Sequence, residues 1–174
     1  MIQSTGERLY EERYKKAPAA ASQAPGRVEI LGNHTDYNGG FVLTVAIDKT
    51  LCLHGEACSE PFVEIYSAAV DDETRFSLDQ IERDPQHVWA NYIKGVLLQL
   101  QKRGVSFGGF RAVISGDLPI GGGGSSSAAL EAAAALFVKA LYPYDMDLME
   151  MAQLCRAAEN EFVGMPCGLL DQFS

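Results

Sequence analysis

The chain is short of positive charge. Fourteen Lys and Arg stand against twenty-three Asp and Glu in 174 residues, a formal net charge of −9. That balance argues against a general nucleic-acid or anionic-membrane surface, so any phosphate it binds must be held locally. Four cysteines, Cys52, Cys58, Cys155 and Cys167, have neither the paired spacing of a zinc site nor the density of a disulfide scaffold. They read as reduced thiols buried in packing. No apolar stretch approaches membrane-spanning length and no basic segment leads into an N-terminal apolar run, which points to a cytoplasmic protein. Two familiar nucleotide patterns are missing as well: no Gly-Lys-Ser/Thr closes a phosphate loop, and no dinucleotide fingerprint with its acidic residue is found.

What is present is an ordinary globular composition, 47% hydrophobic and 21% charged, built around one unusual stretch. Pro119-Ile120-Gly121-Gly122-Gly123-Gly124-Ser125-Ser126-Ser127-Ala128-Ala129-Leu130-Glu131 runs four glycines into three hydroxyls and then into strong helix formers. The flanks predict a strand over Phe110 to Ser115, a loop over Gly116 to Gly124 and a helix over Ser126 to Leu141. A helix N-terminus behind a glycine loop offers unpaired N–H groups and the positive end of a dipole to a phosphate. A flexible surface loop with a serine N-cap is the alternative reading.

Further along the chain, Glu7 to Tyr14 reads as a short charged helix and Ala17 to Pro25 as a surface connection. Ala24 to Gly32 alternates like a strand. Asn33-His34-Thr35-Asp36-Tyr37-Asn38-Gly39-Gly40 then packs amide, imidazole and carboxylate groups into eight positions, which suits a polyol site or, equally, a hairpin turn. Thr50 to Ala57, Phe62 to Ser67 and Arg75 to Leu78 suggest an antiparallel meander. His87 to Arg103 carries a helical apolar stripe that includes Trp89 and ends at Gly104. Asp147 and Glu150 stand at capping-box spacing at the start of a helix to about Asn160, with Leu148, Met151, Ala152 and Cys155 on one face. Asp171 falls in the first turn of another helix start.

Three stretches together resemble the galactokinase branch of the GHMP kinases (galactose, homoserine, mevalonate and phosphomevalonate kinases). They are Pro25-Gly26-Arg27-Val28 with Gly32 to Gly40, the 119–131 glycine-serine run, and Ala158-Glu159-Asn160-Glu161-Phe162 with Cys167-Gly168-Leu169-Leu170-Asp171-Gln172-Phe173-Ser174. The resemblance implies an α+β fold, a GHMP-kinase N-terminal domain with a mixed β-sheet packed against helices and the ATP loop on a left-handed βαβ crossover. It also implies that a C-terminal domain is absent from this chain, that the chain alone is inactive, and that an apolar face near its C-terminus promotes self-association.

By the same resemblance the partners are ATP, Mg²⁺ and a small sugar. Asp171 would be the base toward the sugar C1 hydroxyl, and Arg27 the cation that stabilises charge and keeps that carboxylate ionised. Gly121, Gly122, Gly123, Gly124, Ser125, Ser126 and Ser127 would hold the ATP phosphates, Ser67 would lie toward adenine, and Ser127 and Glu159 would hold Mg²⁺. Asn33, His34, Asp36 and the backbone at Gly168 would bind the sugar. Two positions depart from the family pattern: Asn33 stands where glutamate is usual and Gly124 where leucine is usual. The first opens the possibility of a kinase for another sugar, such as N-acetylgalactosamine or arabinose. A sugar- and ATP-sensing relative without catalysis is the other alternative, although Ser125-Ser126-Ser127-Ala128-Ala129, which such relatives lack in part, is complete here.

Overall fold

The computed structural model describes residues 2–32 and 40–173. Helix α1 (Ile2–Tyr14) precedes strand β1 (Ala20–Leu31), and β2 (Leu43–Ala57), β3 (Phe62–Ser67) and β4 (Asp72–Ser77) follow. Helix α2 (Ala90–Lys102) leads to β5 (Phe110–Gly116), then α3 (Ser126–Leu141), α4 (Leu148–Ala157) and the short α5 (Leu170–Phe173). A π-helical turn, Ala158–Val163, extends α4.

Among the described residues five strands form one sheet in the order β1-β2-β5-β3-β4. The expected meander is therefore corrected: β5 enters between β2 and β3, antiparallel to the first and parallel to the second. The parallel pair β3 and β5 is joined through β4 and α2, and the glycine loop leaves the end of β5. The result is the mixed sheet with helices that the α+β expectation describes.

Alternation along the central strands divides the core. Leu51, Leu53, Ala112 and Ile114 belong to the cluster shared with α2, α3 and α4. Their neighbours His54 and Ser115 meet α1 instead, at Gly6. A Cβ on Gly6 would lie 2.4 Å from His54 Nδ1 and 2.5 Å from Ser115 Oγ. Gly6→Ala is expected to lower the melting temperature, because overpacking costs about 1–3 kcal/mol against about 1 kcal/mol gained in helix propensity. A higher melting temperature for the alanine variant would refute this account of how α1 docks.

Strand β1 begins at Ala20, inside the stretch read as a surface connection. Its position at the sheet edge explains the difference. Pro25 lacks an N–H, which an edge strand can tolerate, and the register shifts between Pro25 and Arg27. The small residues of this segment also let α3 approach, and the Ser22 hydroxyl donates to the Ala133 carbonyl at 2.7 Å.

The later helices follow their expected signals closely. Ser126–Leu141 is α3, Gly104 takes a positive φ of 76° behind α2, and Asp147 and Glu150 close a reciprocal capping box on α4. Leu148 is 76% exposed, whereas Met151, Ala152 and Cys155 on the same face of α4 are buried. Trp89 is half-buried against the core at the α2 N-cap and donates its indole N–H to Asp72 at 2.9 Å. Cys52 and Cys155 are buried free thiols as expected, whereas Cys58 and Cys167 are only half-buried.

Candidate active site

Three parts of the chain meet where β1, the N-terminus of α3 and α5 come together. Arg27 reaches from β1 to Asp171 on α5, 144 residues away, with Nε donating to Oδ1 at 2.8 Å and Nη2 to the same oxygen at 2.5 Å. Its Nη1 donates to the Gly123 carbonyl at 2.8 Å, and its backbone N–H to the Gly124 carbonyl at 3.1 Å. One arginine thus ties the carboxylate to the glycine loop. Gly26 makes the approach possible, since a Cβ there would stand 2.3 Å from Leu118 Cδ1 and 2.7 Å from the Gly124 carbonyl oxygen.

The loop itself, 119–123, is exposed, and Gly121 and Gly123 have φ of 72° and 75°. Ser125 at the α3 N-cap is also left-handed, at φ 54° and ψ 47°, a conformation that a non-glycine residue adopts only when its surroundings hold it there. Its side chain does not cap the helix. Instead the hydroxyl donates to Asp171 Oδ2 at 2.7 Å. Sequence reasoning had placed Ser125 among the phosphate ligands and missed this contact. Asp171 is therefore gripped at both oxygens, by Arg27 and by Ser125, with lone pairs left over for an incoming hydroxyl. The first-turn N–H groups of α3 have no intrahelical partner, as in any helix.

Behind Asp171 lies a second carboxyl group. Glu159, in the π-helical turn, is buried, and its Oε2 accepts from Gln172 Nε2 at 2.8 Å and from the Cys167 thiol at 3.4 Å. Burial pushes Glu159 above the usual carboxylate range, with the Asp171 charge adding to it, while hydrogen bonds from Cys167, Ser127 and Gln172 oppose the rise. Ser127 and Glu159 are thus neighbours. The Cys167 thiol is pushed up to about 12, first by burial and then by the charge of Glu159, so it stays protonated and acts as a donor. Asn160 holds the Cys167 peptide at both ends, accepting from its N–H at 2.7 Å and donating to its carbonyl at 3.2 Å. That clamp fixes the turn carrying the buried Gly168.

Ser67 is buried at the end of β3, three strands from β1, or about 14 Å across the sheet at the usual strand spacing. It is not part of the Arg27–Asp171 cluster. Asn33, His34 and Asp36 lie outside the described residues.

The glycine loop, the helix N-terminus and the arginine–carboxylate pair thus meet at one edge of the mixed sheet. Residues 91–174 match the family model described as GHMP kinases N terminal domain, and residues 8–55 match the galactokinase galactose-binding signature. The fold is that of a GHMP kinase N-terminal domain. The chain's similarity runs to galactokinases. It is 43% identical over 163 residues to the galactokinase of Roseiflexus sp. (strain RS-1), covering 94% of this chain and 41% of that relative. It is also 43% identical over 151 residues to the galactokinase of Thermococcus kodakarensis, covering 87% and 42%. Among solved structures, Lactococcus lactis galactokinase complexed with galactose superposes with a TM-score of 0.87 at 30% identity, covering 98% of this chain and 45% of that one. A mevalonate kinase at 21% identity, with a TM-score of 0.73, covers 89% and 50% and shares the fold. The chain spans about two fifths of the length of the curated relatives it matches.

Proposed function

We propose that this chain is the N-terminal, sugar- and phosphate-binding half of a galactokinase, which transfers the γ-phosphoryl group of ATP to the C1 hydroxyl of galactose. The observation that carries the reading is the convergence of Arg27, Asp171 and the glycine loop on one another. Phosphoryl transfer leaves little covalent chemistry to the protein and depends on alignment and charge neutralisation. Asp171 orients the C1 hydroxyl and takes its proton as the bond to phosphorus forms. Arg27 stabilises charge at the same point, and the loop N–H groups with Ser126 and Ser127 receive the phosphates. His34, Asp36, Asn33 and the backbone at Gly168 bind the sugar, and Ser67 lies on the adenine side.

Mg²⁺ fits the residues present. Ser127 and Glu159 supply two hard oxygens side by side, and a cation there would favour the ionised form of Glu159 that burial disfavours. Among the described residues no three His, Cys, Asp or Glu side chains converge as a cage, and Mg²⁺ commonly takes only one or two protein carboxylates alongside phosphates and water. When bound, the ion would neutralise phosphate charge.

Among the described residues no helix is long and apolar enough to cross a membrane. Free cysteines and an acidic surface support a cytoplasmic setting without nucleic-acid partners. On this reading a C-terminal domain completes the cleft, and the 174-residue chain alone self-associates and is inactive. Exposed Leu148, Met165 and Phe173 support that association.

The test is coupled ADP release by the complete gene product with galactose, N-acetylgalactosamine, glucose and arabinose. Turnover of galactose is the expected result. Turnover of a different sugar would overturn galactose as the substrate and make Asn33 the position that sets sugar choice, whereas sugar binding without ADP release would replace the kinase reading with a sensor.

A further inference from the structure

One buried acid has no part in the reaction described above. Glu131 lies on α3 one turn beyond Ser127, is fully buried, and is the only acidic residue of that helix. Its Oε2 accepts from Gln172 Nε2 at 3.4 Å, and the same amide nitrogen donates to Glu159 Oε2 at 2.8 Å. The other oxygens of the pair, Glu131 Oε1 and Gln172 Oε1, are both buried and have no hydrogen-bond partner among the described residues. Two orphaned acceptors on side chains that already touch share one remedy. A neutral carboxyl would satisfy both, donating from Oε1 to the amide oxygen while its Oε2 accepts from the amide N–H. Burial is the leading cause that pushes Glu131 well above its usual value, followed by the charge of Glu159, while the hydrogen bond from Gln172 opposes the rise.

We propose that Glu131 and Gln172 form an acid–amide positioning pair that seats the Asp171-bearing turn on the loop-bearing helix and orients Glu159. The need for it is local. Helix α5 has four residues and only Leu170 of them is buried, so hydrogen bonds must fix its rotation. Asp171 is tied to Ser125 and the next residue, Gln172, to Glu131, which anchors consecutive residues of α5 to two points six positions apart on α3. Neither Glu131 nor Gln172 need touch a substrate. The role in turnover rests on the sugar-kinase reading, but the pair itself does not.

Glu131→Gln, Glu131→Leu, Gln172→Leu and the double leucine variant, made in the complete gene product, test the pair. Glu131→Gln preserves the cyclic hydrogen bonding and is expected to hold kcat and melting temperature near the parent. Each leucine variant is expected to lose about 10- to 100-fold in kcat with KM for ATP and sugar within about threefold, since misplacement by about 1 Å costs on that order. The double variant should be no worse than either single one. Infrared spectroscopy should show a buried carboxylic C=O stretch that is missing from Glu131→Gln. Unchanged kcat in Glu131→Leu, equal damage from Gln and Leu at 131, or absence of that carboxylic band would overturn the proposal. If the parent releases no ADP with any sugar, the kinase reading fails, and the infrared band with the melting-temperature cycle decides the pair independently.

Discussion

Asp171→Asn in the complete gene product is expected to slow ADP release by about 10²–10⁴-fold, the range a positioned general base supplies, while KM for sugar and ATP changes little. The argument rests on what asparagine preserves. It has the same shape, its amide oxygen can still accept from Arg27 Nε and Nη2, and the Ser125 hydroxyl can rotate from donor to acceptor toward the new NH₂. What disappears is the negative charge and the capacity to take a proton. A loss confined to kcat is the signature of an interaction made in the transition state. Turnover within threefold of the parent would remove Asp171 from the chemistry and leave it as a structural partner of Arg27. A variant that failed to bind sugar at all would instead mean that the Arg27–Asp171 bond holds the cleft in shape.

The sequence made some of this architecture readable and hid the rest for identifiable reasons. Helix α3 was legible because Ala128 to Leu141 combines strong helix formers with a glycine stop on its N-terminal side. The α4 start was legible because Asp147 and Glu150 satisfy each other's backbone within four residues. Both signals are local. The insertion of β5 between β2 and β3 is not, since nothing in Phe110–Gly116 encodes which strands will flank it. Pro25 concealed the beginning of β1, because a proline weakens a strand reading unless the strand is known to be an edge.

The site divides in the same way. The Arg27–Asp171 pair was reached only through the family resemblance, as its members stand 144 positions apart. Ser125 carried a misleading signal, since a serine before a helix normally caps it and here turns to Asp171 instead. Glu131 had a weak signal that went unused: a lone acid amid alanine and leucine, one turn from Ser127, has no reason to face the core unless it meets a polar partner.

Arg27→Lys is expected to lower kcat/KM by roughly 10²–10³-fold, on the scale of removing one oriented donor from a reaction site. Charge is retained, so the loss measures geometry. The guanidinium spends Nε and Nη2 on Asp171 Oδ1 and Nη1 on the Gly123 carbonyl. A single ammonium cannot reproduce that fork, nor reach both partners from one stem. The Arg27 side chain is 15% exposed and that of Asp171 25%, so solvent offsets part of the lost pairing and the protein should still fold. Because Nη1 holds the loop, KM for ATP should rise along with the fall in kcat, which separates this variant from Asp171→Asn. Replacement by methionine, which removes the charge as well, should be worse than lysine in kcat and similar in KM for ATP. If lysine and methionine both shift only the melting temperature, then Arg27 braces the loop and plays no part in stabilising the transferring phosphoryl group.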